Sequence, residues 1–186
     1  MLLLVYNQYI MIGESILVHC CCGPCSTASI ERLLQDGWNP ILYFSNDNID
    51  VEEEFEKRYE NLLLVAHKYN LRVIKKHYEH EIWRDWVKGL EREKEHGARC
   101  TRCFRYNLIE ASKKAEELGI KHFCTTLTVS RFKNSFVIFS QGEDLPGFEK
   151  IDFKKKNGFA ISCKLSTELG LYRQTYCGCE FSKKDF

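Results

Sequence analysis

Residues 16–26, Ile16-Leu17-Val18-His19-Cys20-Cys21-Cys22-Gly23-Pro24-Cys25-Ser26, join a short apolar run to four cysteines within six positions. A run such as Ile16–Val18, closed by a turn signal, reads as a buried strand, and Gly23-Pro24 is the punctuation that ends it. A helix is then expected to start near Cys25-Ser26. Thiols at a helix N-terminus feel the positive end of the helix dipole, which favours the thiolate that binds metal or attacks a disulfide. One or two cysteines here would read as small core residues, since a free thiol packs as a small hydrophobe. Four so close together do not.

The chain of 186 residues holds ten cysteines, at 20, 21, 22, 25, 100, 103, 124, 163, 177 and 179. The adjacent cysteines, the Cys100-Thr101-Arg102-Cys103 pair and the Cys177-Gly178-Cys179 pair suit a metal or redox site better than a secreted disulfide framework. A reducing, cytoplasmic compartment is therefore expected. The opening Met1-Leu2-Leu3-Leu4-Val5-Tyr6 is apolar but is broken by Asn7 and Gln8 and has no basic segment before it, so neither a signal peptide nor a spanning helix is expected. One domain over 1–186 is the default, with 1–13 read as a candidate dispensable extension and Met11 as an alternative start that would leave ten residues dispensable. Net charge is +1, but acidic residues dominate the first 95 positions and basic residues the remainder, so a polyanion would meet the second half.

Outward from the cysteine strand, helices and strands alternate. Ile30, Leu33 and Leu34 mark a helix closed by Asp36-Gly37, and Ile41–Phe44 is a second strand ending in Ser45-Asn46-Asp47-Asn48. Asp50 with Glu53 resembles a capping box for a helix carrying Val51, Phe55, Tyr59, Leu62, Leu63 and Ala66, closed by Asn70. Leu71–Ile74 offers a third strand, and Ile82, Trp86 and Leu90 the buried stripe of a third helix. Residues 97–105 open a helix carrying Phe104, Leu108, Ala111, Ala115 and Leu118, ended by Gly119. His122–Leu127 is a fourth strand running into Thr128–Asn134. The rest is less regular: a loop over Gly142–Gly147, a basic turn over Asp152–Gly158 read as solvated surface, and a short helix around Ser166–Leu169. This order predicts a single α/β domain with a mostly parallel sheet covered by helices on both faces. Ligands bind such sheets at the strand carboxyl ends, where Cys20–Cys25, Ser45–Asn48 and Thr125–Asn134 would converge.

Three separated cysteine groups give more ligands than one zinc needs, whereas a 4Fe-4S cluster takes about four thiolates and leaves others for a second task. A zinc-stabilised RNA-binding module closed by Cys100, Cys103, Cys177 and Cys179 would leave the densest cluster unexplained. An ATP-using enzyme of such a fold would want a Ser-Gly-Gly-type phosphate loop where cysteines stand. Asp47, after strand two, is expected to project beside the cysteine loop and complete a second metal site or hold substrate. Arg99, Arg105, Arg131, Lys133, Asn134 and Arg173 flank the strand-end loops and are expected to contact the phosphates or base of a bound RNA. In Cys177-Gly178-Cys179 the sulfurs can meet, as a reversible disulfide or on a second iron, only where the backbone bends sharply at Gly178.

Cys21-Cys22-Gly23-Pro24-Cys25-Ser26, Arg99-Cys100-x-x-Cys103, Thr125-Thr126-Leu127-Thr128-Val129-Ser130, Lys133-Asn134 and Tyr172-Arg173-Gln174-x-Tyr176-Cys177-Gly178-Cys179 together resemble the QueH family of epoxyqueuosine reductases, over about residues 14–181. The resemblance implies one catalytic domain of nucleotide-binding-like (HUP or PP-loop-like) α/β fold that reduces the epoxide of epoxyqueuosine to queuosine at the wobble position of tRNA. It also implies a 4Fe-4S cluster on Cys21, Cys22, Cys100 and Cys103, leaving Cys25, Cys177 and Cys179, with Asp47, for a second redox group or an additional iron. An external electron donor of the ferredoxin or flavodoxin type is implied as well. Cys20, Cys124, Cys163 and Arg131 depart from the family pattern; the three cysteines are read as packing residues.

Overall fold

The computed structural model describes residues 13–183. The apolar opening and the choice between Met1 and Met11 as start lie outside the described residues. Four strands, β1 (Ser15–His19), β2 (Asn39–Phe44), β3 (Val73–Lys75) and β4 (His122–Thr125), form one sheet in the order β3-β2-β1-β4. All its pairings are parallel, with Leu17 opposite Ile41 in β2 and Phe123 in β4.

The helices follow as α1 (Gly23–Gln35), α2 (Glu52–Tyr69), α3 (His80–Trp86), α4 (Ala98–Glu117), α5 (Ser135–Ser140) and α6 (Gly158–Glu168). Because successive strand side chains point to opposite faces, the unbroken apolar run of β1 serves two cores. Ile16 and Val18 pack with Ile30 and Leu33 of α1 and Phe55, Leu62 and Val65 of α2. Leu17 packs on the other face with Phe104, Leu108, Ala111 and Ala115 of α4. That two-sided burial fixes β1 centrally and holds its carboxyl end, where the cysteines begin, against both layers.

Chain order along the sheet reverses at β1. From β1 the chain steps outward to β2 and β3, then crosses back over α3 and α4 to lay β4 on the other side. Such a reversal opens a crevice beyond the strand ends. Thr126–Val129 leaves β4 as a single 3-10 turn rather than as the longer strand expected.

Local departures have visible causes. The α1 helix starts at Gly23, with Pro24 in its first turn, two residues before the expected point. Cys22 is therefore its N-cap, and its sulfur accepts the Cys25 N–H (3.5 Å). The Asp50 and Glu53 capping box does not form: Val51 is the N-cap of α2, and Asp50 instead accepts from Tyr176 Oη (3.0 Å) and pairs with Lys183. Asn70 ends α2 in the left-handed conformation, as expected of it. In α3 the buried side chain is Trp83, followed by Val87, while Ile82 is 50% exposed. The basic turn is not all solvated surface either, since Lys154 Nζ donates to Lys133 O (2.6 Å) and braces that loop.

Candidate metal centre and active site

Three thiols of the first cysteine group converge where β1 turns into α1. The sulfurs of Cys21, Cys22 and Cys25 all lie within 4.8 Å of one another, with Cys21 and Cys22 3.9 Å apart. Thr126, from the other side of the reversal, fixes this loop: its hydroxyl oxygen accepts the Cys21 N–H (3.1 Å) and its proton points to the Cys21 sulfur (3.4 Å). Asn46 Nδ2 donates to Cys20 O (2.8 Å) and ties the loop to the end of β2. Beneath them, buried His19 donates from Nε2 to Ser45 O (3.0 Å) and accepts at Nδ1 from the Thr125 hydroxyl (2.9 Å). Burial lowers its pKa to about 4, so it stays neutral and braces the three strand ends.

Proton affinity is divided unequally among the three thiols. Cys22 is drawn well below the ordinary thiol value because the Cys21 and then the Cys25 thiol donate to it. Cys21 is pushed up to about 12, first through its bond to Cys22, and Cys25 is raised well above the usual range by Cys21 and Cys22. A cation reverses this balance by taking all three as thiolates. Thiolates about 2.3 Å from one metal stand roughly 3.8 Å apart at the tetrahedral angle, so the Cys21 and Cys22 pair is spaced to share an ion. The donor set fits a thiophilic metal.

The other cysteine groups face the same space. A cavity of about 440 Å³ is lined by Cys21 and Cys25, by Cys100 and Cys103 of α4, and by Cys177 and Cys179 of the C-terminal strap. Burial raises Cys103 well above the usual thiol value, with Cys177 and Cys179 adding to it. Asn107 Nδ2 donates to Cys103 O (3.1 Å) and to Asn48 Oδ1 (3.3 Å), joining α4 to the end of β2. All ten cysteines are free thiols. Of the cysteines read as packing residues, Cys20 and Cys124 are buried in the α1–α2 core and Cys163 is half-buried on α6.

The strap over residues 172–179 is pinned by one face of α2. Buried Arg58 donates from Nε to Glu54 (2.7 Å) and from Nη1 to Cys177 O (2.9 Å), and its guanidinium lies over the Tyr176 ring. Asn61 Oδ1 accepts the Tyr172 N–H (2.7 Å), and Glu54 also accepts from Tyr172 Oη (3.1 Å). Gly178 has φ +139, and a Cβ there would stand 3.2 Å from Arg58 Nη1 and 3.3 Å from Asn48 Nδ2. The sharp bend between the two thiols is real, and it needs glycine. Neither Arg58 nor Asn61 stands out in the sequence, although Glu54, Arg58 and Asn61 follow helical spacing on a strongly charged helix, and Thr126 and His19 are legible only as members of longer stretches.

The expected polar site residues divide. Lys133 lines the cavity, as does exposed Arg173. Against its desolvation, the sulfurs of Cys177, Cys21 and Cys25 raise the pKa of Lys133 and keep it a cation. Arg99 also borders the cavity, but its guanidinium is turned to the carbonyls of Leu90 (3.2 Å), Glu91 (3.0 Å) and Glu93 (2.5 Å), so its charge holds the chain before α4. Arg105 pairs with Asp144 (2.5 Å) away from the cavity lining, and Asn134 caps α5 through Phe136 N–H (2.9 Å). Arg131 stacks between Phe132 and Phe159.

Asp47 stands behind the cavity lining. It is fully buried, and its carboxylate accepts from Tyr106 Oη (2.6 Å) and the Glu79 N–H (3.2 Å) and pairs with Lys76, while its neighbours Asn46 and Asn48 line the cavity. Replacing it by Asn should leave metal content unchanged and lower stability by about 2 kcal/mol, the scale of a charged hydrogen bond. Urea unfolding beside metal analysis checks this; depleted metal in Asp47→Asn would return the residue to the site.

A parallel α/β sheet with a thiol-lined pocket at its strand ends defines the class: a single-domain α/β protein whose cysteine cluster could hold a metal ion. The family model of epoxyqueuosine reductase QueH matches residues 16–185, and the chain belongs to that family. It is 36% identical over 184 residues to the epoxyqueuosine reductase QueH of Streptococcus pyogenes, covering 93% of this chain and 72% of the relative. The proteins of the same name from Acinetobacter baylyi and Thermotoga maritima are 35% and 33% identical, covering 93% and 90% of this chain and 82% and 90% of their own lengths. Among the described residues no helix is long and apolar enough to cross a membrane.

Proposed function

We propose that the chain reduces the epoxide of epoxyqueuosine to queuosine in tRNA, in the cytoplasm, within the cavity walled by six cysteines. The observation that carries this reading is the convergence of thiols from three distant segments on one cavity that the half-buried Lys133 also lines. The reaction breaks two C–O bonds, forms a C=C bond, takes up two electrons and two protons, and releases the oxygen as water. Electrons come from an external donor of the ferredoxin or flavodoxin class.

Cys21, Cys22, Cys100 and Cys103 hold a 4Fe-4S cluster in this reading, and Cys25, Cys177 and Cys179 serve a second thiol or iron group. When bound, such iron supplies single electrons and a Lewis acid. The chain's own residues do the rest. Lys133 holds a proton at Nζ beside the sulfurs, in reach of an oxygen departing into the cavity. Arg173, at the same cavity with its charge exposed, meets the phosphate that brings the base in. Asn46 and Thr126 keep the Cys20–Cys22 turn in place.

A cluster takes one thiolate per iron, so Cys21 and Cys22, as close as two ligands of one ion, must rotate apart to serve it. Iron and acid-labile sulfide in anaerobically purified protein decide the matter: equal amounts of both mark the cluster alone, one iron in excess of sulfide marks the cluster with a second iron group, and iron without sulfide marks a single ion. Zinc alone in a colourless protein would replace redox chemistry with a zinc-stabilised RNA-binding role. Iron-loaded protein, given a low-potential chemical reductant and tRNA bearing epoxyqueuosine, should yield queuosine on nucleoside chromatography. No conversion by fully loaded protein would overturn the assignment.

A further inference from the structure

The two most exposed large apolar side chains among the described residues are both phenylalanines, and they stand four positions apart. Phe132 is 62% exposed and Phe136 83% exposed, the first on the loop after β4 and the second in the first turn of α5. Phe132 also lines the cavity mouth together with Phe159. Between those two rings lies Arg131, its guanidinium carbon 4.8 Å from the Phe132 centroid and 5.3 Å from that of Phe159.

The loop is held in shape. Lys154 Nζ donates to Lys133 O (2.6 Å) and Ser130 O (3.4 Å), and Phe132 N–H donates to Ser130 Oγ (3.3 Å). Asn134 then caps α5, setting the place of Phe136. Two rings presented this way, with cations at Arg131 and Lys133, offer π faces and positive charge rather than a continuous apolar area. Unpaired nucleobases supply the complement, because every base stacks on an aromatic ring while its phosphate seeks a guanidinium.

We propose that Phe132 and Phe136 form a stacking platform for the unpaired bases next to the one entering the cavity, with Arg131, held between Phe132 and Phe159, to meet their phosphates. The platform rests on the reading of tRNA as substrate. It assigns to this chain a way of gripping a single-stranded loop from outside the cavity and of distinguishing a loop from a duplex.

A short hairpin RNA with 2-aminopurine in its unpaired loop, beside the wobble position, provides the probe, and a blunt duplex of equal length the control. Wild type should bind the hairpin with quenched 2-aminopurine fluorescence and bind the duplex more weakly. Phe132→Ala and Phe136→Ala should each lower hairpin affinity by about tenfold, the scale of one base stacked on an aromatic ring. Phe136→Trp should keep the quench, and Phe136→Leu, which stays apolar but has no π face, should lose it. Both positions are exposed, so folding is not at issue. Equal hairpin affinity and quench in wild type and the Phe132→Ala/Phe136→Ala double variant overturn the platform while leaving tRNA as substrate. Absence of hairpin binding by wild type overturns both. A variant whose only change is loss of concentration-dependent self-association in sedimentation makes the rings a contact between two copies and overturns the platform.

Discussion

Cys22→Ser, purified anaerobically, should keep its fold and lose its metal. Position 22 is the N-cap of α1, where the sulfur accepts the Cys25 N–H. Serine is among the favoured residues for that role, so helix and loop stand. As a metal ligand it fails: a hydroxyl is hard and stays protonated where a thiolate is soft and charged. Iron should fall to background and epoxide reduction with it, while the thermal midpoint moves by only a few degrees. Cys163→Ala, half-buried on α6, serves as the control with normal iron. Full iron in Cys22→Ser would remove this residue from the centre, and simultaneous loss of fold and iron would show the residue to be structural first.

Arg58→Met should be the most destabilising of the changes considered. The guanidinium is buried, bonded to Glu54 and to the carbonyl of Cys177, and stacked on Tyr176. Methionine fills the space but leaves Glu54, with a side chain only 10% exposed, without its cation and bonded only to Tyr172 Oη. Removing one partner of such a pair costs about 3–5 kcal/mol. Urea unfolding should register that loss, and the Cys177 thiol should react faster with a thiol reagent as the strap loosens. Adding Glu54→Gln should return part of the stability, since the stranded charge is then gone. A single variant as stable as wild type would show that α2 does not hold the strap.

What the sequence discloses depends on how locally each feature is determined. β1 is legible because Ile16–Val18 is apolar on both faces, a pattern that only a central parallel strand needs. Asn70 and Gly119 are legible as helix ends because left-handed backbone restricts the residue type on the spot. The six-residue α5 is not, since Phe136-Val137-Ile138-Phe139 has no polar face to give a period. In α3 the Ile82, Trp86 and Leu90 spacing misleads because the helix stops at Trp86 and buries Trp83. The cysteines announce the candidate site by their number, and their convergence follows from the strand order. The contacts of Asp47 and Arg99 are not legible for a different reason. Their partners lie in other segments, Lys76 and Tyr106 for one and the 90–93 carbonyls for the other, and a charged residue beside a site reads the same whether it points in or away.

The strap on α2 has a consequence in time. Arg58 meets Cys177 across 119 positions of chain, so this wall of the cavity closes only when the last residues of the domain are in place. Loop closure over such a distance is slow beside the local formation of α1 and its cysteine turn. The Cys20–Cys25 segment is therefore made long before the opposite wall of the cavity exists, and the thiols of the two walls face each other only once the strap has docked on α2.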